Sequence, residues 1–190
     1  MMRCLGEVVS KAVMSGHVWI DEIYFDVSRS GRISGPGGRL LNGISRNKVA
    51  VEAAIDERGN TYAAVMGTGK PASEMISRAL AGHISSGSVI AHDKFHGHGD
   101  FIRRSGLKEA SGGSQKPGYL RLMQRANQFS ALIKRVFVLH VGIGRTHIQD
   151  YLDWACMRQR LRSVKPGRRK KCLLCLCAST GIDLVRPRKK

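Results

Sequence analysis

Asp21 could do chemistry because it is an acidic residue inside an apolar run. Residues 18 to 25, VWIDEIYF, are rich in β-branched and aromatic types and predict a β-strand. Alternation of side chains places Asp21 on one face with Trp19 and Ile23. A carboxylate between large apolar groups costs free energy unless its charge is compensated, and a divalent cation compensates it efficiently. The alternative, favoured for an isolated aspartate, is a strand-end carboxylate bonded to loop amides or to a surface arginine.

Asp93 is the second acidic candidate, because it follows a short apolar strand predicted at 88–91. A predicted helix at 71–80 precedes that strand, and a right-handed crossover would set the strand parallel to the first. Ligands of α/β sheets gather at the carboxyl ends of the strands. We therefore expect Asp21 and Asp93 to meet there, close enough to share a cation.

Asn127 and Lys134 lie on a long helix predicted at 119–140. They are seven residues apart, which is two turns, so both project from nearly the same side. The carbonyl oxygen of Asn127 can bind a cation without adding a third negative charge. Two aspartates and this asparagine suit Mg²⁺ beside a phosphodiester, where two ions about 4 Å apart activate the nucleophile and stabilise the leaving oxygen.

The elements that position these residues predict an α/β fold. Three antiparallel strands come first, at 18–25, 48–55 and 61–66, with a hairpin turn at 56–60. A strand at 88–91 and helices at 71–80, 119–140 and 146–160 follow, giving a mixed sheet flanked by helices. In the last helix, Asp150 and Asp153 are expected on the exposed face. The glycine- and arginine-rich stretch from Asp26 to Asn47 is expected to be a basic loop that is poorly ordered without DNA.

Composition indicates a polyanionic partner. The 190 residues contain 32 Lys and Arg against 14 Asp and Glu, a formal charge of +18, and the pI is near 10.4. This balance does not separate a nucleic-acid enzyme from a structural binder. The five cysteines are odd in number and three crowd the segment 172–177, which indicates a reducing compartment rather than a disulfide framework. No apolar run approaches the roughly 20 residues of a membrane span, so a cytoplasmic location is expected.

The chain resembles a group of bacterial insertion-sequence transposases of the DDE superfamily. The catalytic domain of this group is ribonuclease H-like, and its usual Asp-Asp-Glu triad appears as Asp-Asp-Asn followed by a Lys. The matching segments are 20–25, 47–49, 90–93, 127–134 and 150–154, and the resemblance covers about 17 to 162. It implies Asp21 and Asp93 as metal ligands, Asn127 as the third ligand and Lys134 as a phosphate or charge-balancing contact. It further implies DNA transposition and recombination with Mg²⁺ or Mn²⁺, DNA ends and target as partners, and a homo-oligomer on DNA.

The sequence departs from this family in three regions. Family members usually begin with a zinc ribbon and a helix-turn-helix, and residues 1–16 resemble neither, so we expect them to be a remnant of a truncated N-terminal region. Residues 17–162 are the expected catalytic domain. Ser130 stands where the family commonly has His. Residues 163–190 are expected to be a basic tail with an apolar, frayed cysteine segment.

Other functions compete with a transposase. The sequence from His96 to Asp100, HGHGD, resembles part of a zinc-hydrolase signature, although a polar loop beside Asp93 is the simpler interpretation. The cysteines at 172, 175 and 177 would hold a metal only with a second ligand pair. The main alternative is a catalytically inactive, basic DNA-binding remnant of a transposase. A ribosome-associated basic protein would explain the charge but not the placement of the two aspartates and the asparagine.

Overall fold

A computed structural model describes residues 2–26, 48–93, 95–110, 123–140 and 142–180. Its strands are β1 His17–Asp26, β2 Lys48–Asp56, β3 Thr61–Thr68, β4 Val89–Ala91 and β5 Lys108–Glu109. Its α-helices are α1 Met2–Ser10, α2 Ser73–Leu80, α3 His96–Arg104, α4 Gln124–Leu139, α5 Ile148–Arg160 and α6 Pro166–Ala178. In this part of the chain the strands form one five-stranded sheet in the order β3-β2-β1-β4-β5.

The sheet is mixed, as predicted. β1 pairs antiparallel with β2, β2 pairs antiparallel with β3, and β4 lies parallel to β1 on its other side. The tight turn between β2 and β3 is stabilised by Asp56, whose carboxylate accepts hydrogen bonds from the backbone N–H groups of Arg58 and Asn60. Gly59 in this turn has a φ of 87°, a conformation that glycine adopts without steric cost. The predicted hairpin is therefore confirmed.

Each face of the sheet is covered by its own layer of helices. On the face that carries Ile23 and Phe25, the core is completed by α1, α4 and α5. On the opposite face, which carries Val18 and Ile20, it is completed by α2 and α3. Alternation along β1 therefore directs Asp21 towards α4 and Glu22 towards α3. This division decides which groups each carboxylate meets.

Parallel pairing places Asp93 beside Asp21. Trp19 is opposite Ala91 in the register of β1 and β4, and β4 ends at Ala91. Two residues beyond this pair, β1 reaches Asp21 and the segment that follows β4 reaches Asp93. The strand, helix, strand order read from the sequence thus brings the aspartates to the same end of the sheet.

The structure corrects several expectations. Asp153 is buried, with 6% of its surface exposed, although the helical pattern predicted it outside. The cysteine segment is not frayed, since Pro166–Ala178 is a helix that buries Cys177. The motif from His96 forms the start of α3 rather than a polar loop. Residues 27–47 of the predicted basic loop and 119–122 of the predicted long helix lie outside the described residues.

The first turns of the chain also belong to the core. Cys4, Leu5 and Val9 of α1 are fully buried, against the layer of helices that includes α5. Among the described helices, none has the length and apolar character that crossing a membrane requires.

Candidate metal centre

Three carboxylates converge at the middle of β1, just beyond the carboxyl end of β4. Asp21, Glu22 and Asp93 each place one oxygen so that all three lie within 4.8 Å of one another. β4 pairs with β1 only as far as Trp19, so beyond that point side chains from both faces of β1 can reach the open edge where Asp93 lies. The two predicted aspartates are brought together, and Glu22 joins them although the sequence analysis did not select it. Three convergent carboxylate oxygens are a suitable set for a hard divalent cation.

Asp21 is held by α4. Ser130, which is buried, donates a hydrogen bond of 2.6 Å from its hydroxyl to Asp21 Oδ2. Burial raises the pKa of Asp21, the hydrogen bond from Ser130 opposes the rise, and the nearby charge of Asp93 adds to it. The raised pKa shows that the protein compensates this carboxylate incompletely. A bound cation would complete the compensation.

Lys134 and Asn127 flank Ser130 on the same side of α4 and are both exposed. The positive charge of Lys134 lowers the pKa of Asp21, so the lysine lies within electrostatic reach of the site. Asn127 is one turn before Ser130. In the described part of the chain its side chain makes no hydrogen bond to either aspartate. The ligand role of Asn127 and the phosphate role of Lys134 remain predictions.

Glu22 faces a second carboxylate across the sheet. Glu22 and Glu52 are direct partners in the register of β1 and β2, and Glu52 is fully buried. Like charges at directly opposed positions of a sheet repel. Burial raises the pKa of Glu22 to about 7 although His98 lowers it. Burial also raises the pKa of Glu52.

His98 of α3 supplies the missing counter-charge. Its Nε2 lies 3.1 Å from Glu52 Oε1 and 3.9 Å from Glu22 Oε1, and the imidazole is fully buried. Burial would lower the pKa of His98, but the charge of Glu52, the contact with Asp93 and the hydrogen bond to Glu52 raise it to about 10. The imidazolium therefore bridges α3 and the two central strands.

Asp93 lies between Asp21 on one side and the pair of His98 and Glu52 on the other. His98 Nδ1 is 3.7 Å from Asp93 Oδ1, longer than a hydrogen bond but within ion-pair distance. His98 lowers the pKa of Asp93, burial opposes this, and the backbone N–H of Phe95, which donates to Oδ1 at 3.0 Å, lowers it further. Asp93 is thus ionised beside a carboxylate, Asp21, whose pKa is raised. Groups with divergent pKa values at one edge of a sheet are typical of functional sites.

The two histidines of the HGHGD motif do not act together. The side chain of His96 is 89% exposed and lies 3.5 Å from Asp100, whereas His98 is turned inward. The candidate metal groups among the described residues contain His98 but not His96. The geometry therefore gives no support to a zinc-hydrolase site at this motif. The useful signal in the motif was His98 alone, which becomes informative only once Glu52 is known to be opposite.

A basic groove lies along α4, on the face next to the one that carries Ser130 and Lys134. Its volume is about 590 Å³, and five basic residues line it: Arg135, Arg158, Arg162, Arg169 and Lys170. Gln128 and Gln159 line both this groove and a second cavity that contains Trp19 and Arg125. The basic surface thus continues towards Trp19, which shares a face of β1 with Asp21. A run of positive charge that ends near a carboxylate centre fits a polyanionic substrate.

The sequence matches no protein-family profile and no curated protein. Among solved structures, a chain of the simian T-cell lymphotropic virus intasome in complex with PP2A regulatory subunit B56 gamma has a similar fold, with a TM-score of 0.51 and 11% sequence identity. The similarity covers 94% of this chain and 58% of that chain. The chain therefore spans little more than half the length of this neighbour. The predicted fold class, α/β with a ribonuclease H-like mixed sheet, is confirmed.

Proposed function

We propose that this chain is the catalytic domain of an insertion-sequence transposase, which cuts and joins DNA phosphodiesters with Mg²⁺ or Mn²⁺. The observation that carries the proposal is the convergence of Asp21, Glu22 and Asp93 beside the middle of β1, where the pairing with β4 has ended. The intasome neighbour supports an integrase-like function through its fold, and supports action on DNA as an oligomer. The family resemblance of the sequence supports transposition as the reaction.

The carboxylates fit a hard divalent cation. All three ligands are oxygens, and Asn127 has a position on α4 from which an amide oxygen would complete the set. When bound, such an ion polarises the phosphoryl group and lowers the pKa of an attacking water or 3′ hydroxyl. Ser130 would fix the orientation of Asp21 through its hydrogen bond. Lys134 would offset the negative charge of the carboxylates when a DNA phosphate approaches.

The basic groove supports DNA as the substrate. Phosphate contacts by Lys and Arg position a duplex without reading its sequence, and they supply most non-specific affinity. The groove lies on the face of α4 next to the one that carries Lys134. DNA bound there would present its backbone to the carboxylate centre. Sequence-specific recognition of transposon ends requires other contacts.

The test is cleavage of supercoiled plasmid. The wild-type chain should convert the plasmid to open circles in Mg²⁺ or Mn²⁺. This nicking should stop when EDTA is added. Asp21→Asn and Asp93→Asn should each lower the rate roughly 100-fold or more, because the ion contributes several kcal/mol to the transition state. Asp26→Asn is the matched control, since Asp26 ends the same strand but pairs with Lys48 at 3.7 Å.

Two outcomes would contradict the proposal. Nicking that survives Asp93→Asn would come from another site or a contaminant. DNA binding without any metal-dependent nicking would favour the inactive remnant.

A further inference from the structure

A second group of ligand atoms meets at Asp93, on the side of α3. His92, Asp93 and His98 each offer one ligand atom, and these atoms all lie within 4.8 Å of one another. His92 and His98 are buried, and their rings meet edge to face with centroids 5.4 Å apart. This group differs in chemistry from the carboxylate group because two of its three ligands are imidazole nitrogens. It shares only Asp93 with that group.

His98 is oriented as a metal-binding histidine. Glu52 holds its Nε2 at 3.1 Å, and within the described residues its buried Nδ1 has no hydrogen-bond partner. That nitrogen lies 3.7 Å from Asp93 Oδ1. Two ligand atoms that are each about 2.1 Å from a zinc ion can be at most ~4.2 Å apart, so the separation allows one ion to bind both. An ion there would take the place of a ring proton between the same two atoms.

His92 also contacts a carboxylate through one ring nitrogen. Its Nε2 lies 3.1 Å from Glu109 Oε1, on the neighbouring parallel strand β5. Histidines that bind metals usually donate their second ring N–H to a carboxylate or carbonyl, which fixes the ring and its tautomer. His92 and His98 flank Asp93, and each contacts a carboxylate of its own, Glu109 for His92 and Glu52 for His98. Glu109 has no role in the proposed cleavage, whereas Glu52 also balances the charge of His98.

We propose that His92, Asp93 and His98 form a binding site for a transition-metal ion such as Zn²⁺, distinct from the hard-cation group of Asp21, Glu22 and Asp93. Imidazole nitrogen favours Zn²⁺, Co²⁺ and similar ions, whereas Mg²⁺ prefers oxygen ligands throughout. Glu52 and Glu109 are positioning residues that hold the two rings. The inference goes beyond the proposed function, because ion binding here does not depend on whether the chain cuts DNA.

The test is Co²⁺ binding to the full chain after metal removal with a chelator, followed by visible absorption. Co²⁺ bound by nitrogen and oxygen ligands at low coordination number absorbs far more strongly than the hexaaqua ion. The wild type should show this absorption, and Zn²⁺ should abolish it by displacement. His92→Gln should weaken Co²⁺ binding at least about 10-fold. His96→Gln is the matched control, since His96 is a nearby exposed histidine, and it should leave binding unchanged.

Three results would overturn the proposal: no Co²⁺ absorption in the wild type, equal binding by wild type and His92→Gln, or loss of binding in His96→Gln. If His92→Gln does not fold, the wild type still provides a test. Addition of Zn²⁺ should shift the imidazole NMR signals of His92 and His98 but not that of His96, and unshifted signals would refute the site. Asp21→Asn separates the two proposals, because it should abolish nicking while the Co²⁺ spectrum persists.

Discussion

Replacement of His98 by Leu should destabilise the protein strongly. The substitution leaves Glu52 buried, charged and without its partner, directly opposite Glu22 on the next strand. Both Glu52 and His98 have no exposed surface, so solvent cannot screen the remaining charge. Removal of one partner from a buried ion pair costs about 3–5 kcal/mol. Since a domain of this size is stable by only roughly 5–15 kcal/mol, the loss should be large and measurable.

The double replacement of Glu52 and His98 by Leu should cost much less than the sum of the two single replacements. It removes both charges together, and a buried pair replaced by apolar residues is often close to neutral. Urea unfolding at pH 7, followed by circular dichroism with EDTA present, measures the free energy of unfolding of all four proteins. A coupling of at least about 2 kcal/mol is expected. Additive costs, or a His98→Leu protein that loses under about 1 kcal/mol, would refute the central ion pair.

Three further predictions concern DNA and pH. Lys134→Ala should slow metal-dependent nicking far more than Arg135→Ala; small, equal effects would place Lys134 on the solvated surface. Arg162→Ala, in the basic groove, should reduce the slope of log affinity against log salt by about 1 in anisotropy titrations with duplex DNA, and an unchanged slope would exclude a phosphate contact. Burial raises the pKa of Asp153 to about 6 from 3.8, so its contribution to stability is present below about pH 4 and is lost as the pH rises through 6. Asp153→Asn should therefore be more stable relative to wild type at pH 7.5 than at pH 4, by on the order of 1–3 kcal/mol in urea unfolding; an equal difference at both pH values would contradict this.

Local patterns were sufficient to predict the framework of the site. The apolar run around Asp21 and the short run before Asp93 identify two strands, and the handedness of the crossover brings their ends together. Alternation along β1 also predicts correctly that Asp21 and Glu22 face different layers. The order of strands and helices was sufficient for the fold class for the same reason.

The groups around Asp93 depend on contacts that no local pattern contains. Glu52 becomes important only because its register places it opposite Glu22, and His98 only because α3 packs over both. His92 gains its partner from β5, a strand of two residues that is too short to give a periodic signal. Asp153 was predicted to be exposed because the apolar pattern of its helix leaves it outside the buried face. It is buried because α5 packs against both α1 and β3, and Gln149 compensates part of the cost by donating a hydrogen bond of 3.0 Å to it.

The most direct test of the carboxylate centre is Mn²⁺ binding in the absence of DNA, measured by the loss of the free-ion electron paramagnetic resonance signal. The wild type and the control Asp26→Asn should bind Mn²⁺ equally. Asp21→Asn should lose the ion held by Asp21, Glu22 and Asp93, and any ion held by the two histidines should remain. Full Mn²⁺ binding by Asp21→Asn would contradict the assignment of these carboxylates as the metal centre.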